Sequence, residues 1–316
     1  MSRVALPRFP IFVGLYFIIQ SAISGASWAS PKLEDELRGI FVGHSFTIRN
    51  FFRGTHLRYG SDGQLLNKGD PGYWSRDGMV EFSAVRIMPD NSLILQGERT
   101  CVLFDRKEGE FSNVRTGDRV EIEVQLNPDQ LSQQAVLPVL QRILLNSHDR
   151  LADLVPSYWT NCLSQKVERR DEHSPWECAV TNKQSVPDFP DDKVTWELPA
   201  PDTSLHTGTR RYLIRHRVAY LSEPGVKDPN LGAAPDPVFQ WEQERTHIGF
   251  MTLVLAFTVS EDGRAHDIFI VSPIGMGVDD DAVRTLSAWH FKPAMIGNKP
   301  HPAHARVIFD VVPTHR

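Results

Sequence analysis

The sequence predicts an α+β protein: a β-rich N-terminal domain with short helices, then a C-terminal module made of a hairpin, a helix and a last strand. Three observations predict it. Between Leu37 and Leu126 short β-type runs are punctuated by Asp62-Gly63, Gly69-Asp70-Pro71-Gly72, Pro89-Asp90-Asn91 and Thr116-Gly117-Asp118, the turn chemistry of a small antiparallel sheet or barrel. Nine of the 22 prolines fall between Pro175 and Pro237, a segment therefore largely extended and without long helices. From Met251 onward apolar residues recur with the period of a strand, then of a helix, then of a strand again.

At 316 residues the chain has room for two domains, each with its own core. With 41% hydrophobic and 23% charged residues it excludes wholesale disorder and a polytopic membrane protein. The formal net charge is −5 and no stretch is strongly basic, which argues against nucleic acid as a partner.

The N-terminus sets Arg3 and Arg8 ahead of the apolar run Ile11 to Ile19, and Ser27-Trp28-Ala29 places small residues at −3 and −1 of a cleavage site. Residues 1–29 read as a signal peptide that directs the protein to the periplasm. The run has nine residues where a membrane-spanning helix needs about 20; left uncleaved, the leader would hold the chain at the inner membrane. Export also bears on the three cysteines, because an oxidising compartment favours disulfides. Cys101, in the apolar run Cys101-Val102-Leu103-Phe104, reads as a small buried hydrophobe. Cys162 and Cys178 flank a polar stretch expected at the surface and are expected to pair, the alternative being two or three free thiols.

Within the N-terminal domain, residues 30–160, the clearest strand runs from Val120 to Leu126, where Val120, Ile122, Val124 and Leu126 alternate with Glu121, Glu123 and Gln125. Asp129 is a candidate N-cap for a helical stretch towards Asn146 that Pro138 must kink or divide. A second short helix is expected over Asp149 to Val155, and Tyr158-Trp159 reads as packing. The proline-rich linker, residues 161–234, holds one strand around Tyr212, Ile214, Val218 and Tyr220, docked on a neighbouring domain. Arg210, Arg211, Arg215 and Arg217 read as its solvated face.

In the C-terminal module, residues 235–316, Met251 to Val259 alternate and Asp262-Gly263 suits a two-residue type I′ turn. That register sets Phe257 against Ile268 and Leu255 against Ile270. Asp279 can cap a helix, with Val278 and Val283 as its hydrophobic staple. Asp280 and Asp281 extend an acidic start that the helix dipole favours over a metal site. Ala282, Leu286 and Trp289 supply the buried stripe, and a last strand alternates Ala305, Val307, Phe309 and Val311 with His304, Arg306, Ile308 and Asp310.

The order of a hairpin carrying Asp262-Gly263-Arg264, a helix opening at Val278-Asp279, the run Trp289-His290-Phe291-Lys292-Pro293-Ala294, Gly297-Asn298-Lys299-Pro300 and a final strand with Phe309 resembles the TonB C-terminal domain. Pro235-Asp236-Pro237 and the helix-like Phe239 to Arg245 precede it as they do in that family. The resemblance covers about 78 residues, Pro235 to Val312. It implies three antiparallel strands with helices on one face, and Asp262, Gly263, Asp279, Trp289, Phe291 and Pro293 as structural signature. It implies also that the protein binds a segment of an outer-membrane transporter in energised transport, driven by a motor of ExbB and ExbD. The segment Ile11 to Ile23 lacks the membrane-spanning histidine of that family, and the long Pro/Lys/Glu-rich spacer is missing, so a periplasmic adaptor or structural protein that uses the same fold to bind another partner without motor coupling stands as the alternative.

No catalytic residue is assigned and no cofactor is expected, because no GxSxG, HExxH or phosphate-cradling glycine loop occurs. His301-x-x-His304 straddles a loop containing Pro302 and reads as two surface histidines, so no metal is expected either. The resemblance places the partner on the last strand, Ala303 to Val312: an edge that pairs with an extended peptide, with His304, Arg306, Ile308 and Asp310 exposed to read it.

Overall fold

Helix α1 (Pro31–Phe41) opens the computed structural model, which describes residues 31–106, 109–146, 149–163, 194–197, 212–237 and 250–313. Leu33, Leu37 and Phe41, spaced four apart, bury one stripe of α1. Beneath it lies a first sheet built from β1 (Ser45–Thr47), β2 (His56–Tyr59), β3 (Met79–Ile87), β4 (Ser92–Asp105) and β5 (Glu110–Gln125), in the order β1-β3-β4-β5-β2. The single turn α2 (Trp74–Asp77) precedes β3. Neighbours are antiparallel except β2, which runs parallel to β5. Val120, Ile122, Val124 and Leu126 face inward and pack with Phe82, Leu93, Leu95 and the buried side of α3 (Gln133–Ile143). Ser132, not Asp129, occupies the N-cap position of α3, because Pro128–Gln130 form a separate 3-10 turn; Pro138 lies inside α3 and does not divide it.

The β4–β5 hairpin is long. Its ladder runs from Ser92↔Gln125 to Asp105↔Glu110, with a bulge between Glu98 and Thr100. Its far half leaves the first core and enters a second, where Val102 and Phe111 meet Trp74, Trp159 and the interior of the C-terminal domain. Phe104 N–H donates to Ile274 O (2.8 Å) and Met276 N–H to Val102 O (2.9 Å), so the hairpin arm is bonded to that domain through its backbone. The approach needs a glycine between them: a Cβ on Gly275, at φ +95°, would lie 2.0 Å from Val102 O.

After α4 (Thr160–Leu163) come β6 (Val194–Glu197), β7 (Tyr212–Leu221), the short β8 (Asn230–Leu231), β9 (Met251–Val259) and β10 (Ala265–Ser272). Helix α5 (Val278–Ser287), β11 (Phe291–Lys292), β12 (Ala294–Ile296), β13 (Lys299–His301) and β14 (Ala303–Pro313) complete the chain. The second sheet is antiparallel throughout, in the order β10-β9-β14-β7-β6. The fold is α+β, but the expected three strands β9, β10 and β14 form only part of a five-stranded sheet, because β6 and β7 from the proline-rich segment extend it.

The β9–β10 turn departs from the two-residue expectation. Gly263 N–H closes a turn on Ser260 O (2.9 Å) with Gly263 left-handed at φ 77°, and the strands end at Val259↔Ala265. A glycine in that conformation fits the longer, bulged hairpin loop. A second irregularity at Asp267, φ 48°, brings Leu255 back opposite Ile270, while Phe257 and Ile268 do not pair. Cys162 is buried, not at the surface, with its Sγ 3.5 Å from Ile270 O. Cys178 lies outside the described residues, and its pairing with Cys162 does too; Cys101 is buried.

Candidate functional site

β14 is paired along both sides. It meets β9 from Ala303↔Val259 to Val311↔Met251 and β7 from Ala305↔Tyr220 to Pro313↔Tyr212. The free edge expected on Ala303 to Val312 is therefore filled by the chain's own strand. The reason lies in the side chains: Val218 and Tyr220 of β7 are fully buried beside Val307, Phe309 and Val311, so docking β7 removes apolar surface that β14 alone could not cover.

His216 fixes the middle of β7. Its ring is buried against Trp289 (4.8 Å between centroids) and Phe309 (5.9 Å), and its Nδ1 lies 2.7 Å from Asp236 Oδ1. A carboxylate accepts only, so Nδ1 carries the proton, which leaves Nε2 buried with no hydrogen-bond partner among the described residues. Trp289 Nε1 donates to Pro235 O (2.9 Å), tying the same aromatic cluster to the segment that leads into the domain.

The four residues expected to read a partner lie on the opposite, outer face of β14. Asp310 accepts from Arg217 Nη1 (2.7 Å) and Thr252 Oγ1 (2.9 Å); His304 Nδ1 lies 3.4 Å from Thr258 Oγ1. Arg306 stands between Ala256 and Ala219, and Ile308 between Val254 and Arg217. These side chains line a sheet face, not a sheet edge. Of the two real edges, β10 is broken by the bulge at Asp267 and has α4 against it. The other is β6, paired to β7 from Val194↔Leu221 to Glu197↔Val218; among the described residues no strand pairs beyond it.

The signature residues hold the frame together. Asp262 Oδ1 accepts from Ser260 Oγ and from Arg264 N–H (3.1 Å), and Phe291 N–H donates to Gly263 O (2.8 Å). A side chain at 263 would collide with Phe291 O. Trp289 is fully buried just past the end of α5, Phe291 is buried, and Pro293 separates β11 from β12. Asp279 is not the N-cap. Gly277 takes that position, and the buried Asp279 carboxylate reaches back to accept from Ile274 N–H (2.9 Å) and Gly275 N–H (2.6 Å).

Asp280 and Asp281 are buried as well, and each accepts a hydrogen bond from the N-terminal domain. Asp280 Oδ1 accepts from Tyr158 OH (2.8 Å) and Trp159 Nε1 (3.0 Å); Asp281 Oδ1 accepts from Tyr73 OH (2.9 Å) and from Arg284. Gly277 N–H donates to Ser75 Oγ (3.0 Å). The acidic start of α5 is thus the dock on which the two domains meet. Burial pushes the Asp279 carboxyl up to about 7 and the Asp280 carboxyl up to about 6, against the hydrogen bonds that favour their ionised forms. A carboxyl with a raised folded-state pKa contributes stability that is complete below its unfolded value of 3.8 and is lost as pH rises through about 6 for Asp280 and about 7 for Asp279. Asp280→Asn keeps an acceptor for Tyr158 and Trp159. Urea midpoints across this range should fall less steeply in the variant than in the parent; parallel curves would reject ionisation of Asp280 as a cause.

Among the described residues no group of His, Cys, Asp and Glu could hold a metal ion, and no helix is long and apolar enough to cross a membrane. His301 lies 3.9 Å from Glu223, and His304 faces Thr258.

The site is thus a small antiparallel sheet packed against α5 and Trp289 and extended on one side by β7. Residues 252–311 match the family described as Gram-negative bacterial TonB protein C-terminal. The C-terminal part of this chain is a TonB family C-terminal domain, and a comparison with curated proteins finds no match to the chain.

Proposed function

We infer that the protein is a cell-envelope binding protein, not an enzyme, which takes up an extended protein segment by strand addition to its C-terminal sheet. The expected partner is a periplasm-facing segment of an outer-membrane transporter. The carrying observation is that β14 already holds an added strand over nine pairs, supplied by residues outside the family-matched segment. The domain thus accepts strands, and the next place for one is the outer edge of β6.

The same observation argues against a partner that pairs with β14 itself. To reach β14 a partner must first expel β7 and expose Val218 and Tyr220, at roughly 1.5–3 kcal/mol for each such side chain, before it gains any affinity. Main-chain hydrogen bonds to β6 would supply most of the binding instead. The test is amide shift mapping on the full chain titrated with transporter-derived peptides. Perturbation at 194–197 with 303–312 unmoved is the expected outcome. Loss of the β7 pairing with movement of 303–312 would overturn the β6 assignment, and failure of every transporter peptide to bind would overturn the partner.

A further inference from the structure

Three guanidiniums surround one tyrosine ring at the seam between the domains. The carbons at the centres of the Arg76, Arg53 and Arg284 guanidiniums lie 5.1, 5.4 and 5.8 Å from the centroid of Tyr73. Arg53 and Arg76 belong to the N-terminal domain and Arg284 to α5, so the cluster exists only while the domains are docked. Tyr73 cannot swing away: its hydroxyl donates to Asp281 and its backbone N–H to Asp77 Oδ2 (2.9 Å).

Charge is layered here. The carboxylates lie underneath, with Asp77 only 12% and Asp281 only 3% exposed, while the side chains of Arg53, Arg76 and Arg284 are 36%, 19% and 61% exposed. One oxygen of each carboxylate gathers the donors. Asp77 Oδ2 takes Tyr73 N–H, Arg76 Nε (3.2 Å) and Arg76 Nη2 (3.1 Å), with Arg53 Nε at 3.4 Å; Asp281 Oδ1 takes Tyr73 and Arg284. A fourth guanidinium, Arg99, is buried below and donates to the carbonyls of Asp77, Phe52 and Gly54, on either side of Arg53. The bonds to Asp77 and Asp281 engage only part of each guanidinium of Arg53, Arg76 and Arg284, and each side chain carries five N–H donors.

We propose that the rim formed by Arg53, Arg76 and Arg284 around Tyr73 is a binding site for a phosphate group, straddling the two domains. Forked N–H donors suit the oxygens of a phosphate, which can accept from more than one guanidinium at once. Because one arm of the site comes from α5, binding favours the docked arrangement. The phosphate can be a soluble ester or the headgroup of an anionic lipid, and the site reads the chemistry the two share.

The experiment is calorimetric titration of the full chain with inorganic phosphate. One site is expected, weakened about tenfold or more by Arg284→Ala and by Arg53→Ala, since each removes a charge-assisted hydrogen bond. Arg284→Ala also strips the buried Asp281 of a charged partner, so affinities are compared at temperatures where each variant is shown to be folded by its melting curve without phosphate. Arg284→Lys should restore only part of the affinity, because it keeps the charge and loses the fork. Sedimentation with phosphatidic acid vesicles, against phosphatidylcholine, assigns the source: pelleting of the parent chain but not of a variant carrying both Arg53→Ala and Arg284→Ala assigns a headgroup, and phosphate binding without pelleting assigns a soluble ester. No heat at millimolar phosphate, or equal affinity in parent and both alanine variants, overturns the site.

Discussion

Trp289→Ala should lower the stability of the full chain by about 3–5 kcal/mol, the range for removing a fully buried tryptophan. Trp289 touches four separately folded parts of the second core: His216 on β7, Phe309 on β14 (5.8 Å), Phe291 on β11 (6.1 Å) and, through Nε1, the carbonyl of Pro235. The cavity would open between β7 and the helix side of the sheet, and it would also strip His216 of one wall. Hydrogen exchange should therefore accelerate along 212–221 as well as near residue 289. A denaturation midpoint equal to that of the parent, or exchange confined to the end of α5, would contradict this account of how β7 is held.

Arg99→Met should be of similar size, roughly 3–5 kcal/mol, for a different reason. The guanidinium is buried and serves three main-chain carbonyls: those of Asp77, Phe52 (2.8 Å) and Gly54 (2.9 Å). Methionine fills most of the volume and leaves those acceptors buried without donors, each at about 1–3 kcal/mol. The damage should centre on residues 52–54 and 77–78. If the variant keeps slow exchange there and unfolds at the parent's urea concentration, water must be satisfying the carbonyls and the argument fails.

Local pattern made some of this legible. Alternation along Val120 to Leu126 gave the strand and its inward face, and the Trp289 to Ala294 run with the Asp-Gly hairpin carried the resemblance that the family match to 252–311 supports. What pattern could not give was pairing at a distance. The alternation of Tyr212 to Tyr220 marks a strand, but nothing in it names β14, some ninety residues on, as its neighbour. The acidic start of α5 reads as helix-start chemistry because three consecutive carboxylates fit a helix dipole, and that reading names no partner for them. Their partners Tyr73 and Tyr158 lie 208 and 122 residues upstream. The one available signal was Tyr158-Trp159, two aromatic rings with polar tips, which when buried need acceptors.

The place of β14 also orders the events of folding. It is the middle strand of its sheet, flanked by β9 and β7, yet it is made after both of them. Until residues 303–313 emerge, β7 has nothing to pair with but the short β6, and β9 lacks one of its two neighbours. Non-local pairing of this kind is slow and leaves apolar strands uncovered in the meantime. A nascent chain built this way keeps its second sheet open until residue 313 has emerged, and a protein truncated before residue 303 would leave β7 and β9 each uncovered on the side that β14 fills.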